Sequence, residues 1–158
     1  MSVNKFLPHV LIFPEDDANR QLANGFVLDV QTRQIQPLNE GAGWASVRDR
    51  FRSDHVSDMR KFAKRFMVLL VDFDNDTNRL LDMKADIPPE IADRVFVLGA
   101  LTEPEQLRRA GLGTYEEIGQ ALATDCRNGT DTIWKHDLLR HNLDELARLR
   151  VAVCKFLF

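Results

Sequence analysis

The chain has few cysteines, no long apolar run and no excess of positive charge. Its two cysteines, Cys126 and Cys154, are too few and too far apart for a disulfide scaffold or a thiolate metal site, so a reducing compartment is expected. No apolar segment approaches the length of a membrane span, and the N-terminus lacks a basic segment followed by a long apolar one. We therefore expect a cytoplasmic protein that does not bind a membrane.

The charge balance argues against a dedicated nucleic-acid binder, because the formal net charge is −3 and such proteins carry strongly basic surfaces. The composition is that of an ordinary globular protein, with 44% hydrophobic and 28% charged residues. A chain of 158 residues is expected to form one domain, 1–158, that buries about two thirds of its unfolded surface.

The most informative segment is the apolar run 67–71, which ends in three carboxylates spaced two apart, Asp72, Asp74 and Asp76. Such a run is typical of a strand buried on both faces, and open parallel sheets bind ligands at the carboxyl ends of their strands. Like charges this close repel each other unless a cation offsets the repulsion. Because no cysteine or histidine cluster lies nearby, the hard cations Mg²⁺, Mn²⁺ and Ca²⁺ are favoured over Zn²⁺.

Two other interpretations of these three acids are a calcium-binding EF-hand loop and a solvated turn. An EF-hand loop that begins at Asp72 is excluded, since its sixth position is Thr77 and its twelfth is Met83, where a glycine and a glutamate are needed. The second interpretation stays open: the three acids begin a solvated turn, and Asp76 or Asn78 caps the next helix.

Strand-like and helix-like segments alternate along the chain. Apolar runs predict strands at 9–13, 26–30, 35–38, 67–71 and 94–98. Helical spacing and breakers predict helices at 14–24, 44–52, 56–65, 103–110, 115–126, 134–140 and 143–155. Gly25 is expected to stop the first helix, and Asn142 to cap the last. The predicted fold is α/β, with a mainly parallel central sheet flanked by helices and a helical C-terminal segment.

Three motifs in this order resemble the Toprim domain of topoisomerases, bacterial primases, OLD-family nucleases and small ribonucleases. The first is a strand that ends in a glutamate, VLIFPE at 10–15. The second is a glycine loop before a helix, with Gly41 and Gly43 at its ends, and the third is LVDFDND at 70–76. The resemblance implies a Toprim-like core at 1–101, with 102–158 as a helical extension packed on it.

By this resemblance, Glu15 is a general acid or base and acts with Asp72 in catalysis. Asp72, Asp74 and Asp76, together with Glu15, hold one or two Mg²⁺ or Mn²⁺ ions. Such a site is suited to phosphoryl transfer, because cations offset developing negative charge while a carboxyl group moves a proton. The resemblance therefore implies a metal-dependent phosphoryl-transfer protein, a small nuclease acting on nucleic-acid phosphodiesters.

Other features of the sequence argue against some activities of this family and leave two alternative functions open. The only tyrosine, Tyr115, lies in an ordinary helix pattern, which argues against a topoisomerase, and no zinc-binding module supports a primase. One alternative is a catalytically inactive Toprim-like module that binds nucleic acid, a nucleotide or a protein. Another is a haloacid-dehalogenase-like phosphatase, in which Asp72 is the nucleophile. On local grounds alone, Glu15 is equally well explained as an acid that stabilises a helix N-terminus.

Basic residues concentrate between the glycine loop and the acidic strand. They leave a local positive excess that suits a nucleic-acid phosphate backbone, although the interspersed acids also fit a solvated helical face with intrahelical ion pairs. The apolar C-terminus and modest size are compatible with a homodimer. The candidate nucleic-acid contacts are Arg48, Arg52, Arg60, Lys61 and Lys64.

Overall fold

A four-stranded parallel sheet lies at the centre of the computed structural model, which describes residues 2–158. The strand order is β2-β1-β3-β4, and all three neighbouring pairs are parallel. The predicted α/β class is confirmed, and the sheet is wholly parallel rather than mainly so. The strands are β1 (His9–Pro14), β2 (Ile35–Pro37), β3 (Arg65–Leu70) and β4 (Val95–Leu98).

The sheet is covered on both faces because its strands are apolar at successive positions. Side chains of neighbouring strand residues point to opposite faces. In β1, Val10 and Ile12 pack into one core cluster, whereas Leu11 and Phe13 pack into the other. A strand with both faces buried has a continuous apolar sequence, and for this reason β1 and β3 can be recognised from the sequence.

Helices form the two outer layers. The α-helices are α1 (Asp17–Leu28), α2 (Trp44–Arg50), α3 (Val56–Lys61), α4 (Asn78–Ala85), α5 (Pro104–Arg109), α6 (Tyr115–Asn128), α7 (Leu143–Leu149) and α8 (Lys155–Leu157). The first core cluster takes residues from α1, α5, α6, α7 and α8, and the second takes residues from α2, α3 and α4. Short π-helical segments, Phe51–His55 and Arg150–Cys154, join α2 to α3 and α7 to α8. Within residues 2–158, no helix combines the length and apolarity that crossing a membrane requires.

Gly25 lies inside α1 rather than at its end, so the predicted strand at 26–30 is wrong. The reason is a close crossing of α1 and α6. A Cβ at Gly25 would lie 2.1 Å from the carbonyl oxygen of Glu116, and one at Gly119 would lie 2.1 Å from that of Leu22. Each glycine therefore lets the other helix approach, and packing overrides the weak local tendency of glycine to end a helix.

Two predicted helix boundaries are also wrong. The helix predicted at 56–65 ends at Lys61, and the guanidinium of Arg94 donates to the freed carbonyl oxygens of Met59 and Phe62 at 2.8 and 3.0 Å. The helix predicted at 134–140 is mostly turns, followed by a 3₁₀ turn at Arg140–Asn142. There the Asp125 carboxylate accepts the backbone N–H of Ile133 at 2.7 Å, a side-chain bond that competes with helix formation.

The outer edge of β4 is closed by side chains from the C-terminal region. Glu145 accepts the N–H of Val97 at 3.0 Å, and Asn142 both accepts from Gly99 N at 3.1 Å and donates to Gly99 O at 2.9 Å. The Asn142 side chain therefore does not cap α7, contrary to the expectation from sequence. Because an open edge strand invites pairing with another chain, these bonds replace a fifth strand. Lys84 and Arg148 form ion pairs with the buried Glu145.

The close crossing of α1 and α6 can be tested by measuring the free energy of unfolding of a Gly119 variant. Replacing Gly119 by alanine raises helix propensity, yet we expect a net loss of about 1–3 kcal/mol in the free energy of unfolding, because the new methyl group collides with the α1 backbone. Urea denaturation measures the change. The matched control is Gln120→Ala, which removes an exposed side chain from the next position of α6. Equal stability of the two variants would contradict the close crossing.

Candidate metal centre

The register of β1 and β3 brings Glu15 and Asp72 into contact. Pro14 pairs with Leu70 at the carboxyl ends of these adjacent strands. One residue further along β1, the N–H of Glu15 donates to Leu70 O at 2.9 Å. The N–H of Asp72 then donates to Oε2 of Glu15 at 2.6 Å. The two acids that the sequence places 57 positions apart therefore share one edge of the sheet.

The start of α1 adds a third acid to the pair. Asp16 is the N-cap of α1, and its Oδ1 accepts from both Asn19 N at 3.0 Å and Asn19 Nδ2 at 2.9 Å. The same amide nitrogen donates to Oδ1 of Asp72 at 2.9 Å. As a result, one oxygen each from Glu15, Asp16 and Asp72 lies within 4.8 Å of the other two. We call these three residues the carboxylate cluster.

Burial makes the carboxylate cluster electrostatically costly. Glu15 is 8% exposed and Asp72 is 6% exposed. Burial raises the pKa of Asp72 to about 7, and the nearby charges of Glu15, Asp16 and Asp74 add to this shift, whereas the bond from Asn19 opposes it. Burial also raises the pKa of Glu15, against the opposing hydrogen bond from Asp72 N–H. Both shifts mean that the charged forms lack sufficient compensation from the protein.

The residues present fit a hard divalent cation. Carboxylate oxygens are the ligands that Mg²⁺, Mn²⁺ and Ca²⁺ prefer, and the spacing within the carboxylate cluster lets one ion contact all three acids. Asn19 is fully buried, and its Oδ1 has no donor among residues 2–158. A hydrated cation can supply the two things that this group of side chains lacks: positive charge for the acids and a donor for the amide oxygen.

Asp74 and Asp76, the other two predicted metal ligands, lie outside the carboxylate cluster. Asp74 adopts a left-handed backbone conformation at φ 48°, and its exposed carboxylate accepts from Arg79 Nη1 at 2.7 Å. Asp76 accepts the N–H of Asn78 at 3.0 Å at the start of α4. This bond fits the alternative of a solvated turn, whereas the N-cap residue of α4 is Thr77 rather than Asp76 or Asn78.

The glycine loop packs against the end of β1. The N–H of Gly41 donates to Pro14 O at 2.9 Å, and the N–H of Gly43 donates to Glu15 O at 3.4 Å. Gly43 has a φ of +98°, a conformation that side chains rarely adopt, and α2 begins at the next residue, Trp44. The glycine loop therefore lies directly beside Glu15, as expected from its position between the first and third motifs.

The predicted nucleic-acid contacts are either paired with acids or lie at the amino end of β3. Arg60 pairs with Glu90 at 2.5 Å, while Arg48 and Arg52 both pair with Asp86, at 3.5 and 2.9 Å. These pairs join a helix to residues outside it, so they differ from the intrahelical ion pairs of the alternative. Arg50 and Asp54, at 3.7 Å, form a pair of the intrahelical kind. Lys61 and Lys64 flank the turn that leads into the amino end of β3. At about 3.3 Å per residue of strand, Lys64 lies about 20 Å from the carboxyl end of β3.

Three residues of the site are missing from the sequence-based assignment: Asp16, Asn19 and Arg79. Asp16 follows Glu15 directly, and the spacing from Asp16 to Asn19 is that of a helix cap. Those signals indicate a helix start and do not link either residue to Asp72. No local signal in the sequence identifies Arg79.

Comparison with known proteins gave no matching family model, no matching curated protein and no matching solved structure. The Toprim resemblance therefore rests on the three motifs described above.

The raised pKa of Asp72 predicts how stability depends on pH when no metal is present. The folded chain holds this proton more tightly than the unfolded chain, whose aspartates titrate near 3.8. The resulting stabilisation is complete below about pH 4 and is lost as the pH rises through about 7. In EDTA, we expect wild type to lose stability relative to Asp72→Asn between pH 5 and pH 8, as measured by urea denaturation.

Two controls sharpen this measurement. The substitution Asp82→Asn removes an exposed carboxylate from α4, and its difference from wild type should stay constant with pH. Adding Mg²⁺ at pH 8 should stabilise wild type far more than Asp72→Asn, because bound cations favour the folded state. Parallel pH curves for wild type and Asp72→Asn would contradict the buried, uncompensated carboxylate.

Asp16 offers a way to separate metal binding from helix capping. Asparagine caps helices about as well as aspartate, so Asp16→Asn should keep the stability of α1. We expect it to weaken Mn²⁺ binding by at least about tenfold, because affinity follows the number of charged ligands. Calorimetric titration measures the affinity, and Asp16→Ser provides a second capping variant without charge. Unchanged affinity in both variants would remove Asp16 from the metal centre.

Proposed function

We propose that this protein is a Toprim-like, divalent-cation-dependent phosphoryl-transfer enzyme, a small nuclease that hydrolyses nucleic-acid phosphodiesters. The observation that carries the proposal is the direct hydrogen bond between Asp72 and Glu15 at the carboxyl ends of β3 and β1. Ligands of open parallel sheets bind at this edge. The order of the three motifs along the chain supports the same assignment.

Glu15 has the properties needed for proton transfer. Its carboxyl group is 8% exposed, and burial raises its pKa towards neutrality. A carboxyl group with a pKa closer to the working pH exchanges protons more effectively in a transition state. The bond from Asp72 N–H fixes Oε2, while Oε1 has no hydrogen-bond donor among residues 2–158. Oε1 is therefore the oxygen assigned to proton transfer.

Asp72 and Asp16 are the assigned cation ligands, with Glu15 as the third acid of the cluster. When bound, Mg²⁺ or Mn²⁺ supplies positive charge against the oxyanion that develops at phosphorus. Asn19 keeps the two aspartates in a fixed relation by donating to both of them. The protein thus contributes a group of largely buried acids, and the bound ion would supply the positive charge that this group lacks.

The proposal is tested by nuclease assays on single-stranded DNA, duplex DNA and structured RNA, with Mg²⁺ or Mn²⁺. We expect cleavage by wild type, and a loss of at least about a hundredfold in rate for Glu15→Gln and for Asp72→Asn. Both variants should unfold cooperatively in urea, which separates loss of chemistry from loss of fold. The control Asp82→Asn should cleave at the wild-type rate.

The remaining outcomes distinguish the alternatives. Release of inorganic phosphate from a phosphomonoester, without phosphodiester cleavage, would favour the haloacid-dehalogenase-like interpretation, in which Asp72 is the nucleophile. Cation binding without turnover on any substrate would favour an inactive binding module. Failure of wild type to bind Mg²⁺ or Mn²⁺ would overturn the proposed enzyme.

A further inference from the structure

Arg79 is held beside the carboxylate cluster by two hydrogen bonds. It lies in the first turn of α4, and its side chain is only 14% exposed. One nitrogen, Nη1, donates to the main-chain oxygen of Asp72 at 2.8 Å and to Oδ2 of Asp74 at 2.7 Å. The positive charge lies close enough to lower the pKa of Glu15, against the larger effect of burial. The guanidinium is thus a fixed cation at the rim of the acidic site.

The ring of Trp44 lies against the Arg79 guanidinium. The Cζ atom of Arg79 lies 4.6 Å from the centroid of the indole ring, and that of Arg48 lies 5.0 Å from it. Trp44 follows Gly43, whose N–H donates to the main-chain oxygen of Glu15. Stacking on an aromatic face restricts the rotation of a guanidinium and leaves its edge free for hydrogen bonds.

The edge of the Arg79 guanidinium has unused donors. The group carries five N–H bonds, and only those of Nη1 donate to acceptors among residues 2–158. Nε and Nη2 therefore remain available for a ligand. A planar pair of N–H groups matches two oxygens of a phosphate, which is why arginine suits this ligand better than lysine does.

Asp74 is a replaceable partner for Arg79. Its side chain is 56% exposed, and ion pairs with an exposed member contribute little free energy because water solvates the separated charges. While no anion is bound, the Asp74 carboxylate nevertheless balances the positive charge of Arg79. A phosphate that enters can therefore take over the guanidinium at a small energetic cost.

We propose that Arg79 is the phosphate-binding residue of this site, stacked on Trp44, with Nε and Nη2 donating to a phosphodiester oxyanion while the exposed Asp74 carboxylate competes for the same guanidinium. The inference rests on the proposed function, since it assigns the anion to the phosphodiester that the carboxylate cluster would act on. It makes Arg79 and Asp74 opposite in effect: one attracts the substrate phosphate, and the other competes with it.

The test measures anion and cation binding separately, without relying on turnover. Binding of a fluorescein-labelled single-stranded oligonucleotide is followed by anisotropy in Ca²⁺, and Ca²⁺ affinity is measured by calorimetry. We expect Arg79→Gln to weaken oligonucleotide binding at least tenfold while Ca²⁺ binding stays equal or tightens, because a positive charge leaves the site. Arg79→Lys should lose less, since it keeps the charge without the planar pair of donors. Asp74→Asn should tighten oligonucleotide binding.

The matched control is Arg127→Gln, which breaks the pair between Arg127 and Asp29 at 2.6 Å elsewhere on the molecule. It should change neither affinity. A second arm uses an oligonucleotide with uncharged methylphosphonate linkages. Wild type should bind it weakly, and Arg79→Gln should not weaken that binding further, which assigns the effect to the phosphate rather than to the bases.

The outcomes separate this inference from the proposed function. If wild type binds Ca²⁺ but Arg79→Gln and Arg127→Gln bind the oligonucleotide equally well, Arg79 is not the phosphate-binding residue and the proposed function still stands. If cation and oligonucleotide binding fall together in both Arg79 variants, the role of Arg79 is structural and the inference is overturned. If wild type binds no divalent cation, both the proposed function and the role of Arg79 are overturned.

Discussion

The hydrogen bond from the Asp72 N–H to the Glu15 carboxylate is the interaction on which the site depends. It forms because β1 and β3 are parallel neighbours whose carboxyl ends meet at the same level. A carboxylate that accepts a main-chain N–H at 2.6 Å is fixed in position, and the chain direction after β3 is fixed with it. Asp16 and Asn19 then complete the group, because Asp16 is the N-cap of α1 and Asn19 lies in its first turn.

The arrangement places acids where the protein provides little compensation. Two of the three acids are buried, and their nearest partners are a main-chain N–H and the neutral amide of Asn19. Burying carboxylates without cations destabilises the folded state, which appears as the raised pKa values of Glu15 and Asp72. Perturbed carboxyl groups gathered at the carboxyl edge of a parallel sheet are typical of functional sites.

The predictions from sequence agree best with the structure where a local pattern of residues is compatible with only one kind of burial. The apolar runs of β1 and β3 are buried on both faces, so the positions of these strands and the α/β class could be predicted from the chain. That β1 and β3 are neighbours, which brings Glu15 to Asp72, is a property of the fold. The predictions disagree with the structure where distant packing decides. Gly25 has the local signature of a helix end, but α6 approaches so closely that the glycine lies inside α1. Asn142 has the signature of a helix cap, but its amide bonds to Gly99 at the open sheet edge.

By itself, the sequence determined the α/β class and placed a glutamate and an aspartate at strand ends, because burial periodicity and strand polarity are local properties of the chain. Only the tertiary structure decided the membership of the site. Asp16 entered it through the angle at which α1 leaves β1, and Arg79 through the tight turn at Asp74 and Asn75, where two left-handed residues direct the chain back past the carboxyl edge. Such contacts depend on directions in space between segments that are distant in the chain, which residue spacing does not specify.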